Sequence, residues 1–239
     1  MPLSAAGVIA EFNPFHEGHR LLLKAARDNG ADVILVAISG NFVQRGEPAL
    51  LPKRYRASMA LHTGADLVVE LPLPWAMSGA ETFAAGGVAL LSALGAKELW
   101  FGSECGSASG LLETARILET ESFQNALRRP LESGMPFAAA RETAVDNMAG
   151  SSFSRLLREP NNTLGIEYCR AILRQKSRME PHSIARVGPG HHCSSIVNSM
   201  ASASALRKEI RQAEAPTLWN AEGWNACIPP VAGEILSLA

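Results

Sequence analysis

Cysteine is scarce in this 239-residue chain, and its spacing argues against two classes of small protein. No two of the four cysteines form a CxxC pair; they are Cys105, Cys169, Cys193 and Cys227. Such wide spacing is not typical of a zinc knuckle or of a disulfide framework. We therefore expect reduced cysteines that pack inside a globular protein.

Long hydrophobic runs and a basic N-terminal segment are also lacking. Hydrophobic residues make up 47% of the sequence, but no apolar run reaches the roughly 20 residues that a transmembrane helix needs. The opening segment, MPLSAAGVIAEF, carries no positive side chain before the first predicted strand, unlike a signal peptide. We therefore expect a soluble, cytoplasmic protein with no membrane partner.

Charge is distributed unevenly, although the formal net charge is only -1. Residues 61–150 contain 5 basic and 11 acidic residues, whereas residues 151–211 contain 10 basic and 4 acidic residues. A basic segment suits a surface that faces a polyanion such as RNA, and solvated helix faces are the alternative. The RNA hypothesis predicts a basic edge made of Arg170, Arg174, Lys176 and Arg178.

The chain is organised around residues 7–20, with the sequence GVIAEFNPFHEGHR. The apolar run at 7–12 is typical of a buried parallel strand, and the leucines and alanines at 21–26 predict a packed helix. A helix that follows such a strand points unpaired amides and a positive dipole at the space above it. Gly18 has no side chain to keep a ligand away. We interpret this unit as a nucleotide-binding strand, loop and helix.

His16 and His19 are three residues apart and therefore share one face of the first helical turn. Two imidazoles there can donate hydrogen bonds to phosphate oxygens as charge develops in a transition state. Histidine pairs at helical spacing also bind zinc, so a metal site or a plain helix cap is the alternative. No third metal ligand is obvious nearby in the sequence, and we predict no protein-bound metal.

Further apolar or β-branched runs predict four more strands, at residues 32–38, 66–71, 98–101 and 182–187. Helical patterns separate them, which indicates an α/β fold with a five-stranded parallel sheet. Residues 105–160 are interpreted as a helical insertion within a domain of residues 1–211. Ligands of such sheets gather at the carboxyl ends of the strands.

Several polar residues follow these predicted strands. Cations that could hold a triphosphate or a carboxylate substrate are Arg45, Lys53, Arg54 and Arg56, next to Gln44. Gly102 would let the backbone approach an adenine or ribose, and Arg186 would bring a cation to a phosphate or base. Glu104 is either a substrate or magnesium contact or a helix-capping carboxylate.

Two helix starts are candidates for ligand binding. The asparagines of Pro160-Asn161-Asn162 either cap a helix or bond a ligand. Residues 202–207, SASALR, combine a hydroxyl-rich helix start with an arginine one turn later, which suits a second phosphate grip. Alone, SASALR is an ordinary capped helix start.

The segment HEGH after a strand resembles the HxGH signature of the superfamily of nucleotidyltransferases and class I aminoacyl-tRNA synthetases. Five later segments extend the match: SGNFVQRGEPA, GADLVVELP, FGSE, EPNNTLGIEY and SASALR. In this order they are similar to the tRNA(Met) cytidine acetate ligase family, long grouped only as predicted nucleotidyltransferases.

The resemblance implies a Rossmann-like nucleotidyltransferase fold of the HUP type and an ATP-dependent ligase that releases AMP and pyrophosphate. It implies that acetate is activated as acetyl-adenylate and passed to the wobble cytidine of elongator tRNA(Met), with Mg²⁺ bound to ATP. Catalytic roles are implied for His16, His19 and Arg207. We expect Asn162 to contact the nucleotide. The full set of implied cofactor-binding residues is Gly7, Phe12, Asn13, Pro14, Phe15, His16, Gly18, His19, Arg20, Gly102, Asn162, Arg186, Ser202 and Ser204.

Two segments depart from the family pattern. His191-His192-Cys193 replaces a Tyr-His-Asp-like sequence, and residues 212–239 form a short segment where the family has a longer C-terminal region that helps to hold tRNA. One rival hypothesis is an adenylyltransferase that acts on a small phosphorylated metabolite. Another is a nucleotide-binding regulator without turnover, and the oligomeric state is left open.

Overall fold

The computed structural model describes residues 3–44, 46–186, 202–212 and 227–237. Five strands form one sheet: β1 Ala5–Ala10, β2 Val33–Ser39, β3 Leu67–Leu71, β4 Glu98–Ser103 and β5 Glu180–Ala185. All neighbouring strands are parallel, in the order β3-β2-β1-β4-β5. The predicted five-stranded parallel sheet is confirmed. Strand order reverses at β1, which is where ligands bind in open α/β sheets.

Helices connect these strands and cover both faces of the sheet. They are α1 Glu17–Asp28, α2 Lys53–His62, α3 Leu73–Ala76, α4 Ala80–Ala93, α5 Ala108–Leu118, α6 Glu121–Glu132, α7 Phe137–Ala149, α8 Ser151–Ser154, α9 Pro160–Arg174, α10 Ala203–Gln212 and α11 Pro230–Ser237. Helices α5 to α8 lie within the predicted insertion. In the part of the chain that the structure describes, no helix combines the length and apolar character needed to cross a bilayer.

Successive residues of a strand point to opposite faces, so each buried strand contributes to two cores. In β1, Ile9 belongs to the core that contains Phe83 of α4. Its neighbour Val8 belongs to the core that contains Leu22 of α1. The sheet therefore packs between two helical layers, which hold its carboxyl edge in place.

Several predicted strand bounds were wrong. The first strand spans Ala5–Ala10 and not 7–12, and the second spans Val33–Ser39 and not 32–38. The fifth strand begins at Glu180 and not at 182, and Gly102 lies inside β4 and not in a turn after it. The reason is that β4 and β5 remain paired to their ends, with Gly102 opposite Ile184 and Ser103 opposite Ala185.

Candidate functional site

A cavity of about 750 Å³ opens at the carboxyl edge of the sheet, around the end of β1. The ends of β4 and β5, the starts of α1 and α10, and the loop after β2 contribute to its wall. Ten of the predicted site residues line it: Phe12, Asn13, His16, Gly18, His19, Gly102, Arg186, Ser202, Ser204 and Arg207. The structure therefore brings together two motifs that are far apart in the sequence.

Five predicted binding residues do not line the cavity, namely Gly7, Pro14, Phe15, Arg20 and Asn162. Gly7 lies within β1, where an added Cβ would come within 2.8 Å of Leu91 Cδ1, so it serves close packing against α4. Pro14 and Phe15 are buried behind the loop. Arg20 forms an ion pair with Glu17.

Asn161, and not its neighbour Asn162, faces the cavity. The Asn162 side chain is buried and its Oδ1 accepts a hydrogen bond from the Cys105 N–H at 3.0 Å. Asn161 Oδ1 lies 3.4 Å from Arg186 Nη1 at the end of β5. The prediction that Asn162 contacts a ligand is therefore corrected, because its amide is used to join α9 to the end of β4.

The two histidines of the first motif are stacked on each other. His16 precedes α1 as its N-cap residue, and its backbone N–H donates to His19 Nδ1 at 3.2 Å. The ring centroids are 3.6 Å apart. Because His19 Nδ1 accepts a hydrogen bond, the ring proton of neutral His19 is assigned to Nε2.

Both imidazoles are neutral at pH 7. Burial and the nearby Arg186 charge lower the pKa of His16 to about 3. Burial, His16 and Arg186 lower the pKa of His19 well below its usual value. Each ring can therefore offer one neutral N–H donor to an anion and can also remain uncharged beside the cation Arg186.

Gly18 has a second role that its sequence position did not reveal. An added Cβ would lie 3.0 Å from Cε1 and 3.1 Å from Nδ1 of His16, which is tighter than ordinary contact. Glycine thus leaves room for the His16 ring over the first turn of α1, in addition to lining the cavity.

The second motif is hydrogen-bonded directly to the first. Arg207 Nη1 donates to the Asn13 carbonyl at 2.7 Å, and its Nη2 donates to Ser204 Oγ at 3.2 Å. Ser202 Oγ accepts the Ala205 N–H at 3.1 Å, so this hydroxyl caps α10. The capping alternative therefore holds for Ser202, while Arg207 lies against the loop that carries the histidines.

Glu104 caps a helix, which was one of its two predicted roles. Its carboxylate accepts the backbone N–H groups of Asn161 and Asn162 and the Asn161 side-chain amide, at 2.6 to 3.2 Å. Burial raises the pKa of Glu104, but these hydrogen bonds outweigh it and hold the pKa below its usual value. Both carboxylate oxygens are thus committed to the start of α9.

Three of the four cations predicted after β2 do not line the cavity. Lys53 pairs with Glu70, and the Arg54 guanidinium lies over the Tyr55 ring. Arg56 is fully buried and donates to backbone carbonyls. Other predicted residues, namely Arg45, His191, His192 and Cys193, lie outside the described residues.

Two of the four side chains of the predicted RNA-facing edge are engaged in ion pairs within the chain. Arg170 is paired with Glu119 and Glu167, and Arg174 is paired with Glu119 and Glu81. The other two residues, Lys176 and Arg178, lie between α9 and the start of β5. That is the amino edge of the sheet, opposite the cavity.

Sequence reasoning missed several residues of the cavity wall. Glu11 and Tyr168 are polar examples, and the apolar ones include Phe83, Phe101 and Leu164. Glu11 stands inside the AEFNPFHEGH segment, so the resemblance alone could have pointed to it. Tyr168 likewise ends the EPNNTLGIEY segment of the resemblance, but its place in the cavity wall depends on how α9 packs on the sheet, which no local pattern encodes.

Comparison with known proteins gives three kinds of match. A family model described as HIGH nucleotidyl transferase matches residues 3–239. The chain is 46% identical over 217 residues to a tRNA(Met) cytidine acetate ligase of Syntrophotalea carbinolica, which covers 89% of this chain and 52% of that protein. It is 42% identical over 214 residues to the Acetivibrio thermocellus ligase of the same name, which covers 87% of this chain and 52% of that protein. The chain therefore spans about half the length of these curated relatives.

Solved structures agree with the predicted architecture. The chain is similar to Thermotoga maritima TmcAL bound with alpha-thio ATP, with a TM-score of 0.87 and 35% identity. An apo form of that protein gives a TM-score of 0.89 and 36% identity. The matches cover 98% of this chain and 55% or 56% of the other. The predicted Rossmann-like fold is confirmed.

Proposed function

The chain belongs to the HIGH nucleotidyl transferase family, and from this premise we propose that it is an ATP-dependent ligase that activates acetate and acetylates a tRNA cytidine. Relatives named tRNA(Met) cytidine acetate ligase, at 46% and 42% identity, support the proposal. The observation that carries it is the stacked pair His16–His19 joined through Asn13 to Arg207 at one cavity.

The cavity suits the activation of an acid by ATP. With adenine beside Gly102 and Arg186, the triphosphate would lie over the amino end of α1, whose unpaired amides favour anions. A carboxylate oxygen of acetate would attack the α-phosphorus, and pyrophosphate would leave. The N–H donors of His16 and His19 and the Arg207 guanidinium would stabilise the charge that develops on the phosphoryl oxygens. The product is acetyl-adenylate.

Magnesium is proposed to enter with the nucleotide. Among the described residues, no group of three His, Cys, Asp or Glu side chains is placed to hold a metal ion. Mg²⁺ commonly keeps several waters and binds through substrate phosphates with one or two carboxylates, so the cavity fits it as part of the ATP complex. There it would neutralise phosphate charge.

The acceptor follows from the names of the relatives and from the sequence resemblance. We propose the wobble cytidine of elongator tRNA(Met), with N4-acetylcytidine as the product and the cytoplasm as the location. Since Arg170 and Arg174 are engaged in ion pairs, tRNA contact is better sought at the cavity rim than on that face of α9.

Pyrophosphate release with ATP and acetate tests the proposal. We expect release that depends on acetate, and transfer of labelled acetyl to elongator tRNA(Met) but not to a transcript with uridine at the wobble position. A dinucleotide-like product formed from phosphorylated metabolites, without AMP release, would instead favour the adenylyltransferase hypothesis. If the chain bound ATP but formed no pyrophosphate with any candidate acid, the hypothesis of a nucleotide-binding regulator would be favoured.

Arg207→Ala should weaken ATP binding itself. A hydrogen-bonded, charged partner contributes about 1.5–3 kcal/mol, so we expect an affinity loss of roughly tenfold or more. Lysine at this position should rescue binding only in part, because it lacks the planar fork. Calorimetric titration with ATP measures the effect, and Lys208→Ala, an exposed neighbour on α10, is the matched control. If the Arg207→Ala and Lys208→Ala variants bound ATP with equal affinity, SASALR would be an ordinary helix start without a role in ATP binding.

A further inference from the structure

Three carboxylates line the cavity, from Glu11, Glu47 and Glu104. A negative side chain beside a bound triphosphate or a carboxylate substrate disfavours the binding of that anion. The presence of each of the three carboxylates at the cavity therefore needs a physical explanation. Glu104 has one, because its oxygens cap α9. Glu47 lies on an exposed part of the loop after β2. For Glu11 two roles remain: a contact to the Mg²⁺ of the ATP complex, which acid activation would need, or a part in the transfer step, which acid activation would not need.

Glu11 is held firmly while part of its carboxylate stays available. Its backbone carbonyl accepts a hydrogen bond from the buried Arg56, and its Oε1 accepts the Gln44 N–H at 3.0 Å. Among the described residues, the Gln44 N–H is the one group that donates a hydrogen bond to the Glu11 carboxylate. The side chain is half-buried at the cavity wall, so its second oxygen can face a ligand.

The position of Glu11 separates it from the proposed nucleotide contacts. Gly102 and Arg186 lie at the ends of β4 and β5, on one side of β1. Glu11 follows β1 and is bonded to Gln44 of the loop after β2, on the other side. His16 and His19 follow β1 between the two sides. A group that enters along the β2 side would therefore meet Glu11 close to the proposed reaction centre.

Tyr168 adds a polar neighbour to this part of the cavity. Burial and the nearby Glu11 charge raise the pKa of its hydroxyl, so it stays protonated at any physiological pH. The cavity thus offers a neutral O–H donor near Glu11, and Val43 and Phe83 contribute apolar walls to the same cavity. This setting suits an uncharged amine better than a second anion.

We propose that Glu11 is the general base of acetyl transfer, an inference that rests on the proposed function. The cytidine amine attacks the carbonyl carbon of acetyl-adenylate, so that a C–N bond forms. The bond between that carbon and the phosphate oxygen breaks, and AMP leaves with the electron pair. The Glu11 carboxylate accepts the proton that the amine nitrogen loses and later returns it to water.

Glu11→Gln separates the two half-reactions. Glutamine keeps the size of the side chain and an oxygen that can accept the Gln44 N–H, but it cannot take up a proton. We expect transfer from preformed acetyl-adenylate to tRNA to fall about 10²-fold, the lower end of the usual contribution of a general base. Acetate-dependent exchange of pyrophosphate into ATP should stay within about threefold of the unaltered chain, because that step does not use the base.

A second variant distinguishes a base from a structural anchor. Glu47→Gln removes another carboxylate from the same cavity, and we expect it to transfer at nearly the normal rate. An equal loss in both variants, or normal transfer by Glu11→Gln, would overturn the assignment of Glu11.

The same assays keep the two proposals apart. No acetate-dependent exchange in the unaltered chain would overturn the proposed function and this inference with it. Exchange without transfer to tRNA would overturn the acceptor and the role of Glu11 but leave acid activation standing.

Discussion

Replacing His19 by asparagine should lower pyrophosphate release by roughly 10²- to 10³-fold, the scale for losing one preorganised donor. The asparagine Oδ1 can take the place of His19 Nδ1 as acceptor of the His16 N–H, so the start of α1 should remain capped. The donor at Nε2 is lost. Since burial keeps His19 neutral, the missing interaction is a hydrogen bond from an uncharged group, and ATP binding should fall less than turnover.

The loss of turnover is measured as steady-state pyrophosphate release at saturating ATP, and the loss of ATP binding is measured by calorimetric titration. His62→Asn is the control, because His62 is exposed near the end of α2 and should leave both quantities unchanged. The His19 ring also packs on Phe12, at a centroid distance of 4.8 Å, so thermal unfolding must show that the variant is folded. A folded variant with near-normal turnover would remove His19 from the proposed mechanism.

The centre of the sheet was predictable because its strands are buried on both faces. In β2, Leu35 and Val36 point to opposite cores and both are buried, which leaves a continuous apolar run in the sequence. The edge strand β5, with the sequence EPHSIA, is only partly buried. Its mixed composition gives a weak signal. The predicted bounds of β5 were two residues late, and so were those of the central strand β1, so burial made the existence of a strand predictable but not its ends.

Site residues that belong to a local sequence motif were predictable. Residues that reach the cavity only through tertiary packing were not. Asn161 and Asn162 are about 100° apart around α9, so the orientation of the helix against β4 selects which one faces the cavity. No local pattern encodes that angle. The ion pairs of Arg170 and Arg174 with Glu119 join α9 to the end of α5, and composition alone made them look like an RNA surface.

Arg56 is the clearest case of a cation whose role only the fold reveals. Sequence position suggested a phosphate contact, yet its side chain is fully buried. Nε donates to the Leu51 carbonyl at 3.0 Å, and the two terminal nitrogens donate to the carbonyls of Glu11 and Gly40. It thereby joins the ends of β1 and β2 to the segment before α2. Burial lowers the pKa of Arg56 to about 10 against the opposing charges of Glu11 and Glu70, so the group is still charged at pH 7.

Arg56→Met should therefore destabilise the protein by about 3 kcal/mol or more. Methionine fills much of the space but leaves three carbonyls without their donor, two of them buried and that of Glu11 half-buried, and each buried unsatisfied group costs about 1–3 kcal/mol. The unfolding midpoint in urea, with an unchanged slope, measures the loss. Arg54→Met is the matched control, because the exposed guanidinium of Arg54 lies over Tyr55 and its removal should cost about 0.5 kcal/mol. If the two variants unfolded at the same urea concentration, Arg56 would not hold the base of the cavity together.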